Sequence, residues 1–99
     1  MHLTIEIPDE DIRYLIAAGL DLACRYWADA KDEGGRLVLH EKDGSGKHVL
    51  TTAAMKQGFR VMREKYPRHF ANVVNIDGHD AETGDVFLQC ALLGDIVYG

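Results

Sequence analysis

Two charge constellations carry most of the chemistry this chain offers. Lys56, Arg60 and Arg63 fall at i, i+4 and i+7, with Lys65 and Arg68 close behind, a spacing that lines one helix face with cations suited to a phosphate backbone or another polyanion. Asp77, His79, Asp80, Glu82 and Asp85 gather oxygen donors around one histidine, the donor type that calcium and magnesium take. Each set also has an ordinary explanation. A solvated helix face accounts for the cations, and 16 acids in the chain oppose nucleic-acid binding. The acidic run departs from the calcium-loop signature, and helix capping explains Asp80 and Glu82 without an ion. The residues therefore imply no metal and no cofactor.

Catalytic groups are sparser still. Ser45 is the only serine and sits in a glycine-rich turn, and no basic motif flanks Cys24 or Cys90 to lower a thiol pKa. Gly44-Ser45-Gly46-Lys47 is similar to part of a phosphate loop, but it joins two strands and opens no helix, so the helix N-terminus that completes such a loop is missing. His40 and His48 lie on the two arms of a hairpin and would be cross-strand neighbours in one of its two plausible registers, which at best makes half a zinc site. No catalytic residue is assigned, and an enzyme is not expected.

Ninety-nine residues suit one globular domain over residues 1–99, able to bury a core without metal or disulfide support. With 46% hydrophobic and 27% charged residues, the chain falls in the range of folded domains. No targeting segment and no membrane-spanning run is visible, which points to the cytosol. Cys24 and Cys90 sit among apolar neighbours and read as reduced, buried thiols. The net charge of −5 is split. Residues 1–33 hold eight acids against three Lys and Arg, residues 69–99 hold five acids and neither cation, and residues 56–68 hold five cations against Glu64. Separate acidic and basic regions favour oriented association with a partner over general nucleic-acid binding.

These residues are positioned by a readable series of elements. Leu3, Ile5 and Ile7 alternate with polar residues as a short strand. Pro8 to Asp11 then open a helix expected over residues 9–29, whose core stripe is Ile12, Leu15, Ile16, Gly19, Leu20, Ala23 and Trp27. Ala18, Leu22 and Tyr26 form a second stripe. Tyr14 and Tyr26 lie off the main one, which makes them candidates for contact with another protein or a second copy. Gly34 and Gly35 break the helix. Residues 36–41 and 47–50 pair as a hairpin about the Asp43 to Gly46 turn, with a loop of three or four residues. Thr51 or Thr52 caps a second helix carrying Met55, Gly58, Phe59, Met62 and Tyr66 on one face, and Pro67 stops it. Residues 68–75 form a short third helix and 75–78 a loop. A fourth helix runs from about Asp80 to Gly94, burying Val86, Phe87, Cys90, Ala91 and Leu93, with Ile96, Val97 and Tyr98 docked behind it. The class is α+β: a short N-terminal strand, a long helix, a β-hairpin, then three helices packed on one face of a small antiparallel sheet.

Three stretches carry a family resemblance: Tyr66-Pro67-Arg68-His69-Phe70, the run from Asp80-Ala81-Glu82-Thr83-Gly84-Asp85 to Val86-Phe87-Leu88-Gln89, and Gly94-Asp95-Ile96-Val97-Tyr98-Gly99. With looser agreement at Tyr26-Trp27 and Leu50-Thr51, they resemble, over residues 10–99, a family of small proteins encoded by phages, prophages and plasmids. That resemblance implies no reaction. It implies a non-enzymatic inhibitor of a bacterial defence system, similar in kind to anti-CRISPR proteins, binding a host defence protein or CRISPR–Cas complex in the host cytoplasm. Asp9, Glu10, Asp11, Tyr14, Tyr26, Asp77, Asp80, Glu82 and Asp85 are the expected partner-binding residues. The acidic surface would either occupy a basic groove on the target or dock beside it and block a conformational step, and −5 over 99 residues favours docking. The alternative is a homodimeric phage accessory protein in DNA metabolism or gene control, working through Lys56, Arg60, Arg63, Lys65 and Arg68.

Overall fold

A computed structural model of the chain describes residues 9–74 and 80–98. The expected strand at residues 3–7 and the loop at 75–78 lie outside the described residues. Helix α1 (Asp9–Tyr26) is three residues shorter than its apolar periodicity suggests. The Trp27 amide still bonds to the Ala23 carbonyl at 2.9 Å, after which the backbone extends. Ala28–Glu33 is a strand, β1, which the sequence reading missed. The inward positions of β1 are only Ala28 and Ala30, set among Asp29, Lys31, Asp32 and Glu33, so the period of two is faint. Gly34 and Gly35, read as a helix breaker, are the two-residue turn that joins β1 to β2 (Arg36–Glu41). Both have positive φ, 66° and 83°, as a tight turn matched to strand twist requires.

The expected hairpin is present as β2 and β3 (Lys47–Val49), and the sheet order is β1-β2-β3, antiparallel throughout. The Glu41 amide bonds to the Gly46 carbonyl at 2.9 Å, which makes residues 42–45 a four-residue loop. That register pairs Leu39 with His48 and His40 with Lys47. His40 and His48 are therefore on opposite faces and cannot share a metal. His40 instead bonds Glu33 at 2.8 Å and His48 bonds Glu41 at 2.9 Å.

Helices α2 (Thr52–Lys65), α3 (Pro67–Val74) and α4 (Ala81–Leu93) follow. Thr51 caps α2 by accepting from the Ala54 amide, and Asp80 caps α4 by accepting from the Thr83 amide, each satisfying an otherwise unpaired donor. The chain is α+β, as the element order implied. One sheet face, through Ala28 and Leu39, belongs to the same core as Leu15, Ala23 and Trp27 of the first helix region, Val61 and Met62 of α2, Val73 of α3 and Phe87, Leu88 and Cys90 of α4. Helix α4 packs against both α1 and α2.

The α1–α4 contact is a backbone contact. Leu15, Gly19 and Ala23 are buried at four-residue steps, and a Cβ placed on Gly19 would lie 2.4 Å from the Gly84 carbonyl carbon and oxygen. Where α4 meets α2, Phe59 stacks on Phe87 with centroids 4.6 Å apart, and Gln57 donates to the Cys90 and Ala91 carbonyls. Among the described residues no helix is long and apolar enough to cross a membrane.

The two thiols differ, contrary to expectation. Cys90 is buried, but Cys24 is exposed because it lies one helical step off the Leu15–Gly19–Ala23 line. Burial pushes the Cys90 thiol up to about 11, where almost no thiolate exists at neutral pH. Native protein is therefore expected to give one fast-reacting thiol with a neutral disulfide reagent, the second appearing only as the fold opens. Two fast thiols, or one that survives Cys24→Ser, would contradict this arrangement.

Candidate partner-binding surface

The Tyr66–Phe70, Asp80–Gln89 and Gly94–Tyr98 stretches bond to one another within the fold. Tyr66 donates its hydroxyl to Asp95, whose other oxygen takes Lys65 Nζ at 2.7 Å. His69 and Asn72 both contact the buried Thr83 hydroxyl, at 3.1 and 3.3 Å. The largest assembly centres on Gln89, which is only 1% exposed. Its amide nitrogen donates to Asp85 at 2.9 Å and to the Tyr98 carbonyl at 3.0 Å. Its oxygen accepts from the Val97 and Tyr98 amides at 2.9 and 2.8 Å. The chain after Gly94 is thus held like an added strand against one side chain. Tyr98 then stacks on Trp27, with centroids 5.4 Å apart and planes 11° from parallel, and its hydroxyl donates to Glu41.

The charges of these groups follow from these contacts. The Tyr98 hydroxyl, with His48 behind it, holds Glu41 below the usual carboxylate range, and Glu41 in turn pushes Tyr98 up. Asp85 moves the other way: burial raises it, while bonds from Trp27 (2.7 Å) and Gln89 only partly offset that cost. Lys65 first, then Tyr66 and the Ile96 amide, hold Asp95 down at about 2. A carboxylate lowered on folding adds stability that is complete above its unfolded value, near 4, and is lost as pH falls through the folded one. Asp95→Asn is therefore expected to lower the melting temperature at pH 7, with a deficit that narrows as pH drops from about 4 toward 2. Parallel melts of both proteins across that range check it, and a pH-independent deficit would assign the loss to shape instead of charge.

Of the expected partner-binding residues, some are surface groups and others are not. Glu10, Tyr14 and Tyr26 are exposed on α1, and Asp11 is half-buried. Asp80 is exposed although one oxygen caps α4, and Glu82 is exposed with His69 3.9 Å away. Asp85 is half-buried. Both of its oxygens are bonded internally, to Trp27 and Gln89, so it joins α4 to the end of α1. No local signal announces this, because the Trp27 partner is 58 residues away. Asp77 and the Asp9 side chain lie outside the described residues. Among the described residues no group of three or more His, Cys, Asp or Glu could hold a metal ion.

Two faces stand out once the internal residues are removed. The first is the outer side of α1. Tyr14, Ala18, Leu22 and Tyr26 recur every four residues, and the two tyrosines are 66% and 71% exposed, a high value for large rings. Twelve residues of helix separate them by about 18 Å. Exposed Glu10, Arg13, Asp21 and Arg25 flank the stripe, with Arg25 and Asp21 3.8 Å apart. The second face is on α2, where Lys56, Arg60 and Arg63 are all exposed; Arg68 follows on α3. Lys65 is separated from this set by its ion pair with Asp95. Scans against protein-family models, curated protein sequences and solved structures return no match to this chain.

Proposed function

We propose that this chain is a non-enzymatic, stoichiometric inhibitor of a bacterial defence complex, acting in the host cytoplasm through protein–protein contact made by the outer face of α1. The observation that carries the reading is the pair of exposed tyrosines, Tyr14 and Tyr26, on one helix stripe with Leu22 and Ala18 between them. Tyrosine supplies large contact area with few rotatable bonds and a polar tip, which is why it anchors interfaces. Charged residues around an apolar centre match the rim-and-core arrangement of such surfaces.

A docking mode fits this face better than mimicry of nucleic acid. Arg13 and Arg25 interrupt the acids Glu10, Asp11 and Asp21, so α1 presents no continuous row of negative charge. A non-enzymatic role is supported by the state of the reactive groups. The Cys90 thiol is buried and held protonated, and the His40, His48 and His69 rings face carboxylates or a threonine within the fold. The choice of a defence complex as partner rests on the phage and plasmid resemblance of the Tyr66 to Tyr98 stretches.

The test is direct binding of the tagged chain to a panel of purified CRISPR surveillance complexes and host nucleases, with Tyr14→Ala/Tyr26→Ala alongside. One member of the panel is expected to form a stoichiometric complex, and the double variant to bind it about 30-fold or more weaker, as loss of an aromatic anchor does. Both rings are exposed, so the variant should melt like the parent. No complex with any member would sink the proposal, and equal binding by the double variant would remove α1 from it.

A further inference from the structure

We infer that the exposed face of α2 is a separate binding surface for the phosphate backbone of duplex nucleic acid. A net charge of −5 argues against general affinity for polyanions, but a ligand meets a face and not an average. At 100° per residue, Lys56, Arg60 and Arg63 fall within a sector about 60° wide. They rise about 6 Å and then about 4.5 Å along the helix axis. Phosphates follow one another every 3.4 Å of axial rise along a strand, so these long side chains reach successive or alternate groups.

Among the described residues, no carboxylate is paired with these cations. Lys42, Lys47 and Lys65 are each within 3.4 Å of a carboxylate oxygen. Lys56, Arg60, Arg63 and Arg68 make no ion pair among the described residues. Glu64 is the one acid on α2 and stands at the edge of the stripe without pairing to Arg60 or Arg63. The first turn of α2 holds no acid, so the positive end of its dipole adds to the field near Lys56.

The same face explains why a duplex is the expected form. Single strands are held by exposed aromatic platforms on which bases stack. Here Phe59 stacks on Phe87, and Tyr66 is tied to Asp95. Four cations without an aromatic platform or a groove-entering element contact phosphates and read no bases. This surface is independent of the α1 proposal and survives its failure.

Fluorescence anisotropy with a labelled random-sequence DNA duplex tests it. At low salt, micromolar binding is expected, with log K falling against log salt at a slope of about −3 to −4 for up to four phosphates. Arg60→Ala/Arg63→Ala should weaken binding at least tenfold and flatten the slope by about 2, while Lys42→Ala/Lys47→Ala, which removes ion-paired cations of the sheet, should change neither. All three proteins should share one melting temperature within a few degrees. Absence of binding at low salt, or binding that keeps its slope in the arginine double variant, overturns the inference. So does a polyglutamate peptide that displaces the duplex at equal charge concentration, since that outcome assigns the face to an acidic protein.

Discussion

Gly84→Ala is expected to destabilise this protein by about 3 kcal/mol or more, the upper range for overpacking, and to lower its melting temperature by on the order of 15 °C. The sign is informative. In a helix interior, alanine ordinarily gains about 1 kcal/mol over glycine. Here the new Cβ would sit 2.4 Å from the Gly19 nitrogen, 2.5 Å from the Leu15 carbonyl oxygen and 2.7 Å from the Gly19 Cα, all of them backbone atoms. No rotamer change relieves such a contact, so α1 and α4 must move apart and open the packing around Leu15 and Phe87. Gly19→Ala should behave alike. The double variant should cost less than the sum, because one displacement of the helices accommodates both methyl groups. Thermal melts by circular dichroism decide the matter, and an unchanged or raised melting temperature for Gly84→Ala would mean the helices are not in backbone contact.

The second large effect is expected at Gln89. Replacing it with leucine keeps much of the volume but removes the partner of two backbone amides, a carbonyl and Asp85. Unsatisfied groups of this kind cost about 1–3 kcal/mol each when buried, and the segment can escape part of that by leaving the surface, so a loss of about 2–4 kcal/mol is expected. Detachment should unstack Tyr98 from Trp27, the only tryptophan. A red-shifted, more quenchable indole emission in the folded variant is the specific readout. Gln89→Glu separates hydrogen bonding from charge: it keeps the acceptor for Val97 and Tyr98 but sets a carboxylate against Asp85. Its deficit should shrink on acidification toward pH 4, where a protonated Glu can again donate. Loss of stability without any change in Trp27 emission would refute the clamp.

The legibility of this fold tracks how local each signal is. Caps, apolar periodicity and turn residues placed α1, the β2–β3 hairpin, α2 and α4 within a few residues. β1 escaped notice because two alanines among acids and a lysine make a poor strand signature, and because the same two glycines can end a helix or turn a hairpin. Cys24 was misplaced by neighbour composition when its angular position on the helix was the better guide. Thr83 and Gln89 are buried polar groups whose partners lie 4–14 residues away, most of them on α3 or on the stretch after Gly94, so the pattern along α4 itself does not reveal them. A sign was present all the same: both lie in the stretch from Thr83 to Leu93, whose single charged residue is Asp85. The exposed Tyr14 and Tyr26 were readable as off-stripe rings, whereas the inward turn of Asp85 required knowing where Trp27 would be.

The backbone contact between Gly19 and Gly84 has a bearing on how the protein is made. The two residues are translated 65 positions apart, which at ribosomal rates of about 5–20 residues per second is a delay of about 3–13 s. Throughout that interval the apolar stripe of the first helix has emerged, or is emerging, without the surface that will cover it. The described helical glycine translated in between, Gly58 on α2, packs on Phe87 and Ala91 of that same late helix and so offers α1 no earlier cover. Helix α1 must therefore remain unaggregated as a nascent segment, shielded by chaperones or by its flanking charges, and the core closes only after the helix that begins at Ala81 has left the exit tunnel.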